Sequence, residues 1–341
     1  MNSLTRDEIK RVVQLLGGED ALRAMIAQMR LPDGWVGAKH GDLTQGQIEA
    51  LLNMMAEHAP ALLSGEETMR FVKAVIAAFD RNGRRVPPRG LKSAVCDPDC
   101  NYFLVNPIQI NYAERLARAM KHFAQVFGHD AEFCTADEYR IGSEATLLEV
   151  QNNTDVSNLA NGPAFPIVLP RISNELARKQ NLGQLVEMLV AVAKLAYEEK
   201  FSGRIFTNYR AGDLAGKVEV YPGSRQDDLM VMVAKAPVVG QQFFPFQGFS
   251  INADREQVTT MPNDKVVLSG IEIIIAWAFW PDVLLKNNTT IGYHLAGLLW
   301  KSSGYSLYGY AGDGSAYFAR YDNLGYVDDG CSAGLFLPAA V

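Results

Sequence analysis

An apolar run at residues 266–285 is the feature that most restricts how this chain can fold. It reads VVLSGIEIIIAWAFWPDVLL, with Glu272 near its middle and Pro281 and Asp282 near its end. A membrane-spanning helix needs about 20 mostly apolar residues with few or no charges, and an ionisable residue in mid-span is costly. We therefore interpret the run as a buried core segment and expect no membrane association.

The same run can be read as a helix or as a strand. Three consecutive β-branched residues, Ile273 to Ile275, favour a strand, whereas the length of the run and its alanines favour a helix. We predict a buried helix that starts near Ser269, whose side-chain oxygen can cap it. Pro281 then ends the helix or begins a further short turn.

Composition places the chain among ordinary folded proteins. Its 341 residues are 48% hydrophobic and 21% charged, and a chain of this length can bury a large core without disulfides or metal ions. The patterns predict an α+β fold with a helical N-terminal half and a mixed C-terminal domain, in which a largely antiparallel sheet packs on the buried helix. We divide the chain into a helical bundle module (1–80), a basic linker followed by a mainly helical region (81–200), and a mixed domain with Tyr/Gly-rich C-terminal strands (201–341).

Periodicity supports that division. Apolar residues at helical spacing predict amphipathic helices at 112–127 and, as the longest helix, at 173–200. Thr135 and Glu138 form a capping box that predicts another helix start. Beyond residue 200 the strand-like runs are 204–208, 216–221, 237–246, 293–300, 305–310, 316–321 and 333–337.

Charge argues against nucleic acid as the main partner. The net charge is −6, whereas phosphate binding needs a surplus of Lys and Arg on the binding face. One local exception lies at residues 80–92, where Arg84, Arg85 and Arg89 flank Pro87 and Pro88. This segment is either a solvated linker whose arginines pair with the acidic body, or an anion-binding arm that uses those three guanidinium groups.

The cysteines and the N-terminus give no sign of secretion. Four cysteines are too few for a disulfide scaffold in a chain of this length, and the first residues lack the long apolar core of a signal peptide. We expect a cytoplasmic protein by default, although a bacterial or viral protein released by another route would look the same. Cys96 and Cys100 lack the second Cys/His pair of a zinc site, so we predict neither a metal site nor a cofactor.

Known catalytic signatures are absent from the sequence. Two residues are nevertheless candidates for a catalytic role. His294 can act as a general base, with Asp313, Asp328, Asp329 or Ser302 as imaginable partners. Glu272 lies in an apolar run that can raise its pKa, although such a residue more often pairs with an arginine.

The C-terminal stretch 292–337 is the part of the chain best suited to contact a partner. It holds seven of the thirteen tyrosines, spaced by Gly, Ser, Asp and Asn. Tyrosine offers a large contact area with few torsions to immobilise, and this composition is typical of paratopes and binding hot spots. Stacked aromatic rings with Asp and Asn also suit sugars. The competing interpretation is a plain antiparallel sheet, since Tyr favours strands.

Strand alternation limits how these tyrosines can be displayed. Tyr308 and Tyr310 are expected on one face of a strand, with Tyr305 on the other. We expect the C-terminal domain to present Tyr293, Trp300 and Tyr305 together with Tyr308, Tyr310, Tyr317 and Tyr321, although some must be core. The candidate binding residues are Tyr308, Tyr310, Asp313, Tyr317, Tyr321, Tyr326 and Asp328.

In its content of aromatic residues, Gly and Asp, roughly the last fifty residues resemble C-type-lectin-like domains and the lectin-fold variable proteins of diversity-generating retroelements. The chain lacks the paired cysteines of those domains and their Gly-Phe-Arg-type ending. The resemblance implies a recognition role and transfers no individual residue.

Three functional hypotheses follow. The leading one is a non-enzymatic recognition protein that binds a protein or carbohydrate ligand through its Tyr/Gly/Asp-rich C-terminal surface. The alternatives are a structural protein that forms a homo-oligomeric particle or filament, and a hydrolase-like enzyme with a site around His294 and Glu272. An enzyme requires a pocket that gathers several titratable groups, whereas a recognition module requires an exposed aromatic surface.

Overall fold

The fold is taken from a computed structural model that describes residues 78–88, 90–107, 109–153, 155–261, 265–301, 304–321 and 323–339. The chain divides into two compact units: Met1–Ala78 with Val86–Gly90, and Phe79–Arg85 with Leu91–Val341. All the helices and strands named in this section belong to the second unit. The predicted bundle module at 1–80 lies almost wholly outside the described residues, so the three-part domain division stays a prediction.

The described residues form seven α-helices and three short 3-10 segments. The helices are α1 (Tyr112–Phe127), α2 (Ala136–Asn152), α3 (Leu182–Lys200), α4 (Gln226–Lys235), α5 (Ile251–Gln257), α6 (Ile271–Phe279) and α7 (Pro281–Leu284). The 3-10 segments are Ser157–Asn161, Lys179–Asn181 and Val258–Thr260. The capping box predicted at Thr135 and Glu138 is present at the start of α2.

Thirteen described strands build four sheets. They are β1 (Ala131–Glu132), β2 (Ala164–Leu169), β3 (Arg171–Ile172), β4 (Ile205–Asn208), β5 (Val218–Val220), β6 (Val238–Phe243), β7 (Val267–Leu268), β8 (Gly292–Leu295), β9 (Leu298–Trp300), β10 (Ser306–Gly312), β11 (Ser315–Tyr321), β12 (Cys331–Ala333) and β13 (Leu335–Pro338). The largest sheet has the order β12-β8-β10-β11-β4, and a four-stranded sheet has the order β2-β6-β13-β7. Strands β1 and β3 pair, as do β5 and β9.

The five-stranded sheet is antiparallel in its centre and parallel at both edges. The hairpin β10–β11 pairs antiparallel, and β8 joins β10 in the same sense. Strand β4 pairs with β11 in parallel, and β12 pairs with β8 in parallel. The four-stranded sheet is antiparallel throughout, and β2 forms its edge, as expected for a strand that contains Pro166.

Helix α6 is the centre of the core. Every one of its residues is buried, and it packs against α3, β2 and β8. Its Trp277 ring lies 5.7 Å from the ring of Tyr293 and 6.4 Å from that of Phe318, so it contacts one face of the five-stranded sheet. The α+β fold class and the buried apolar helix are confirmed.

Several element boundaries differ from the sequence prediction. Helix α6 begins at Ile271 after Gly270, and Ser269 does not cap it. The Ser269 side-chain oxygen accepts from the N–H of Ala296 instead (3.3 Å), while the hydroxyl donates to the His294 carbonyl (2.7 Å). Residues 173–181 form turns and a 3-10 segment ahead of α3. There the Asn181 side chain donates to the Glu175 carbonyl (2.8 Å), a local bond that competes with the helix. The expected strand at 293–300 is two strands, separated by a turn at Gly297.

A helix that crosses a bilayer must be about 20 residues long and mostly apolar. None of the helices in the described part of the chain combines the length and the apolar character needed to cross a membrane.

Candidate functional site

The candidate site is one face of the five-stranded sheet, which carries Tyr308, Tyr310, Tyr317 and Tyr321, with Tyr209 directly after β4. We call these five residues the tyrosine face. The register sets Tyr310 opposite Tyr317 and Ser306 opposite Tyr321, and side chains of paired residues project to the same side. The intervening residues, such as Leu307, Ala316 and Phe318, are buried against the core.

The five rings form one continuous row across the strands. The ring centroids are 5.9 Å apart for Tyr209 and Tyr317, 4.8 Å for Tyr317 and Tyr310, and 5.1 Å for Tyr310 and Tyr308. These three pairs are stacked, with interplanar angles of 7°, 25° and 29°. Tyr321 continues the row at 5.4 Å from Tyr308, with a tilt of 53°.

This spacing determines which parts of the rings meet solvent. Near-parallel rings whose centroids are about 5 Å apart must overlap their faces in an offset stack, because rings lying side by side in one plane would clash at that distance. The stacked rings therefore cover one another's faces. What the row offers to a ligand is ring edges and phenol hydroxyl groups, with an open ring face only at the outer end, where Tyr209 is 53% exposed.

The tyrosine face is uncharged where it meets solvent. Its strands contribute Ser306, Gly312, Ser315, Ala319, Ile205 and Thr207 beside the tyrosines. None of the side chains that β4, β10 and β11 place on this side belongs to Asp, Glu, Lys or Arg. Burial and the neighbouring phenols of Tyr209 and Tyr317 raise the pKa of Tyr310, so its hydroxyl stays protonated and neutral.

Two outward backbone groups at the sheet edge next to the tyrosine face are bonded by the protein's own groups. Strand β4 is the last strand on that side, and an open strand edge invites pairing with another chain. The outward N–H of Phe206 donates to the Glu198 carboxylate of α3 (3.1 Å). The carbonyl of Asn208 accepts from the N–H of Ala211 (3.4 Å). Contacts with a partner are therefore expected on the face and not along the edge.

A buried acid–base pair lies at the inner end of the row. His294 of β8 pairs in register with Tyr308, so it projects from the same side of the sheet. Its Nδ1 lies 3.3 Å from Oδ2 of Asp254, which helix α5 holds over this end of the sheet. Both side chains are fully buried, and the His294 ring lies 5.3 Å from Tyr321 and 6.1 Å from Tyr308.

Tyr308 is also held from strand β12, on the far side of β8 in the same sheet. The thiol of Cys331 donates to the Tyr308 hydroxyl (3.6 Å), and Cys331 is opposite Gly292 on the same side of the sheet. Burial and the nearby Asp328 raise the pKa of the Cys331 thiol well above its usual range. Cys331 is therefore a neutral buried thiol that fixes Tyr308 and not an activated nucleophile.

Replacing Asp254 by asparagine is expected to remove a pH dependence of stability. Burial raises the pKa of Asp254 from its usual 3.8 to about 6, against the lowering influence of His294 and Arg255. The folded state thus binds this proton more tightly than the unfolded chain, and the resulting stabilisation is lost as pH rises through about 6. Relative to Asp254→Asn, the wild type should lose about 1 kcal/mol for each pH unit between roughly pH 4 and 6.

Urea denaturation of both proteins at several pH values measures this difference. Glu219→Gln removes an exposed carboxylate from the separate β5–β9 sheet and serves as the control. A stability difference between wild type and Asp254→Asn that stays constant from pH 4.5 to 7.5 would contradict the assignment.

The two residues considered for catalysis are not brought together. His294 projects from the tyrosine face, whereas α6, which begins with Ile271 and Glu272, packs on the opposite, core side of the sheet. Glu272 is fully buried and accepts from the N–H of Gly270 (2.7 Å) and from Nε2 of Gln226 (2.6 Å). Burial raises the pKa of Glu272 to about 7, and these hydrogen bonds oppose that rise. Both of its oxygens are occupied by this internal network.

The remaining predicted site residues occupy separate positions. Asp313 is exposed in the β10–β11 turn and accepts from Asn288 (3.0 Å). Tyr326 is 56% exposed in the loop before β12, where Asp328 accepts from the N–H of Gly330 (3.0 Å). Tyr293 and Trp300, which were expected at the display surface, are buried in the core. That part of the prediction is wrong, because both side chains project from the core side of their strands.

The predicted anion-binding arginines do not share one environment. Arg84 reaches Gln247 (3.4 Å). Arg85 is buried and donates to Gln257 (3.0 Å) and Thr260 (3.3 Å). Arg89 and also Ser302 lie outside the described residues, so an anion-binding role of this segment stays a prediction. Across the ranges that the structure describes, no group of three or more His, Cys, Asp or Glu side chains is arranged to hold a metal ion.

Two surface clefts lie apart from the tyrosine face. One, of about 130 Å³, is lined by Arg118, His122, Glu199 and Lys200 where α1 and α3 meet. Burial lowers the pKa of His122 there, although its Nε2 lies 3.5 Å from the Glu199 carboxylate. The other, of about 570 Å³, lies at the start of α1 and α2. Neither cleft includes a residue of the tyrosine face.

Two members of the site were missed by sequence reasoning. Tyr209 precedes the tyrosine-rich stretch by more than eighty residues and joins the row only because β4 pairs with β11. Nothing in the sequence near Asp254 indicates that it meets His294, forty residues further along the chain. The alternation of Tyr308 with Tyr310 was the one signal that pointed to a shared face.

The chain was compared with protein-family models, curated proteins and solved structures. No protein-family model, no curated protein and no solved structure matches it.

Proposed function

We propose that this is a non-enzymatic recognition protein that binds another protein through its tyrosine face. The observation that carries the proposal is the continuous row of five tyrosine rings, four stacked and one tilted, on the outer side of a sheet whose other side is core. A plain structural sheet has no need to hold five large aromatic residues at the solvent boundary, where burial of their area is incomplete.

Pre-organisation favours this surface as a binding site. Each ring is held by its neighbours, and Tyr308 is also bonded by Cys331, so little side-chain freedom remains to be lost when a partner binds. Tyrosine combines an apolar ring with a hydrogen-bonding hydroxyl, and it is enriched among the residues that dominate protein interfaces. Gly312, Ser315 and Ala319 between the rings leave room for a partner's backbone.

The chemistry of the face favours a neutral protein segment over other ligands. Nucleic acid requires cationic side chains for its phosphates, and β4, β10 and β11 place none on this side. Sugars and bases stack on open ring faces, but the stacked tyrosines partly cover one another's faces and Tyr209 is the one exposed ring of the row. Ring edges and hydroxyl groups suit the backbone amides and small neutral side chains of a protein.

The two alternative functions, an enzyme and an assembly protein, predict different experimental results. An enzyme that uses His294 needs access to its imidazole, which is fully buried, so a substrate can reach it only after a rearrangement. An assembly protein would use the tyrosine face to bind a second copy of this chain. A sizing column run at rising protein concentration identifies that case by a mass well above 37.5 kDa.

The direct test is selection of a partner by the full chain. A display library of random twelve-residue peptides is selected on the immobilised protein. A glycan array is probed with the same protein in solution. We expect enrichment of peptides that are poor in charged residues, and no glycan that binds more tightly than those peptides. Selective binding of a glycan, abolished by the substitutions below, would replace the protein partner with a carbohydrate.

Truncating the centre of the row is expected to abolish that binding. Tyr310→Ala and Tyr317→Ala should each weaken the selected peptide about tenfold or more, because each removes a ring with two stacked neighbours. Tyr310→Phe keeps the stack and removes one hydroxyl, so it should weaken binding less. The measurement is a titration by isothermal calorimetry.

Phe103→Ala is the matched control, since Phe103 is a large aromatic residue that is 55% exposed and lies outside the five-stranded sheet. It should leave the affinity unchanged. If Phe103→Ala weakens the peptide as much as Tyr310→Ala, or if neither tyrosine variant does, the proposed surface is wrong.

A further inference from the structure

The buried Asp254–His294 pair links helix α5 to strand β8 and leaves two of its polar atoms without a partner. Two ionisable side chains without solvent exposure lie 3.3 Å apart at the inner end of the tyrosine face. Burying such groups is expensive unless they are paired and their remaining polar atoms are satisfied. Oδ1 of Asp254 and Nε2 of His294 are both buried without a hydrogen-bond partner.

These two atoms are the sites where the pair can take up a proton. With one proton between them, Nδ1 of His294 donates to Oδ2 of Asp254, and the pair carries one negative charge. A second proton must reside on Nε2 or on Oδ1, and either position becomes a buried donor that lacks an acceptor. Such a donor is unfavourable, so nearby groups must rearrange to accept it.

Acceptors for that proton are present in the row itself. The His294 ring contacts Tyr308 and Tyr321, and the Tyr308 hydroxyl now accepts from Cys331. The charged and titratable groups that face the pair come from every neighbouring element: Arg255 of α5, Tyr308 of β10, Tyr321 of β11, Cys331 of β12 and Asp328 of the preceding loop. Arg255 is the only cation in this group, and its donors are engaged by the carbonyls of Ala296 and Leu298.

We propose that Asp254 and His294 position Tyr308 and Tyr321, and that uptake of a proton by this pair weakens binding at the tyrosine face. This inference rests on the proposed function, because it names a control of the same surface. Both residues act through the tyrosines and do not touch the partner.

The contacts around the pair indicate why proton uptake should weaken binding and not strengthen it. In the row as it stands, neither Nε2 of His294 nor Oδ1 of Asp254 has a hydrogen-bond partner, so a proton added at either atom needs an acceptor that has to move toward it. Proton uptake draws a tyrosine hydroxyl toward Nε2 or Oδ1 and tilts the inner rings out of the row. Burial places the pKa of Asp254 at about 6, so the change falls between roughly pH 7 and 5. We expect the selected peptide to bind about tenfold more weakly at pH 5 than at pH 7.5.

The first measurement needs no ligand. Ring-labelled tyrosine in the full-length protein is followed by nuclear magnetic resonance from pH 8 to pH 5. The signals of Tyr308 and Tyr321 should titrate together near pH 6, while that of Tyr209 at the outer end stays in place. Asp254→Asn should abolish this titration, and Glu219→Gln should preserve it. Constant Tyr308 and Tyr321 signals in the wild type overturn the inference, even if the Asp254 variant does not fold.

The second measurement separates this inference from the proposed function. The affinity of the selected peptide is measured at pH 7.5 and pH 5 for the wild type, for Asp254→Asn and for His294→Gln. A fall in affinity that the wild type shows and Asp254→Asn lacks supports the coupling. Peptide binding that is independent of pH overturns the coupling and leaves the proposed function standing. Tyrosine signals that titrate in a protein that binds no peptide overturn the proposed function and the coupling to binding, and they leave only the positioning of Tyr308 and Tyr321 by the pair.

Discussion

Replacing Arg255 by methionine is expected to lower the free energy of unfolding by about 3 kcal/mol. Arg255 is buried, and its Nε and Nη2 donate to the carbonyls of Ala296 and Leu298, each at 2.9 Å. Its guanidinium also lies 4.7 Å from the centroid of the Tyr221 ring. Methionine fills a similar volume but offers no donor, so both carbonyls lose their charged partner inside the protein.

Two further substitutions test whether the lost guanidinium donors cause the loss of stability. Arg255→Lys keeps the charge but cannot reproduce the forked donor geometry, so it should recover only part of the loss. Arg140→Met removes an exposed arginine whose partner is Glu144, four residues away in α2, and should change stability by less than about 0.5 kcal/mol. Chemical denaturation measures all three. An Arg255→Met protein within about 1 kcal/mol of wild type would show that water replaces the guanidinium donors.

Adding one methyl group at Gly309 should destabilise the protein by about 3 kcal/mol and disturb the tyrosine face from behind. A Cβ at this position would lie 2.1 Å from Cη2 of Trp277, a fully buried ring that cannot swing away. Strand β10 must then move off helix α6. Because Tyr308 and Tyr310 flank Gly309, their rings move with the backbone, and the selected peptide should bind more weakly as well.

Gly312→Ala in the same strand is the matched control. The nearest atom to its Cβ would be Cε2 of Tyr317 at 3.4 Å, so we expect a change in stability below about 0.5 kcal/mol. Denaturation is measured for both variants, and peptide titration for Gly309→Ala only, because Gly312 itself lies on the tyrosine face. Equal stability losses for Gly309→Ala and Gly312→Ala would mean that loss of glycine in a strand, and not contact with Trp277, is responsible.

The buried helix and the fold class could be predicted because their signals are local. The run at 266–285 combines apolar length with one ionisable residue, Glu272, and that combination favours a position in the core. The helix boundaries were less accurate, since Ser269 turned out to bond the His294 carbonyl. A side chain has several possible partners, and tertiary contacts decide among them.

The candidate site was predictable only within single strands. Alternation placed Tyr308 and Tyr310 on one side, which the stacked rings bear out. The contributions of Tyr209 and Asp254 depend on pairing between strands and helices far apart in sequence. Non-local pairing of this kind is set by the whole core, so no pattern close to either residue could reveal it.

The capped edge of β4 has a consequence for colloidal behaviour. An uncharged, tyrosine-rich sheet is the kind of surface that seeds cross-β stacking when a strand edge next to it is free. Here the Glu198 carboxylate takes the outward N–H of Phe206 and brings a negative charge to that edge. This hydrogen bond from one side chain of a neighbouring helix therefore disfavours lateral growth of the sheet at the β4 edge.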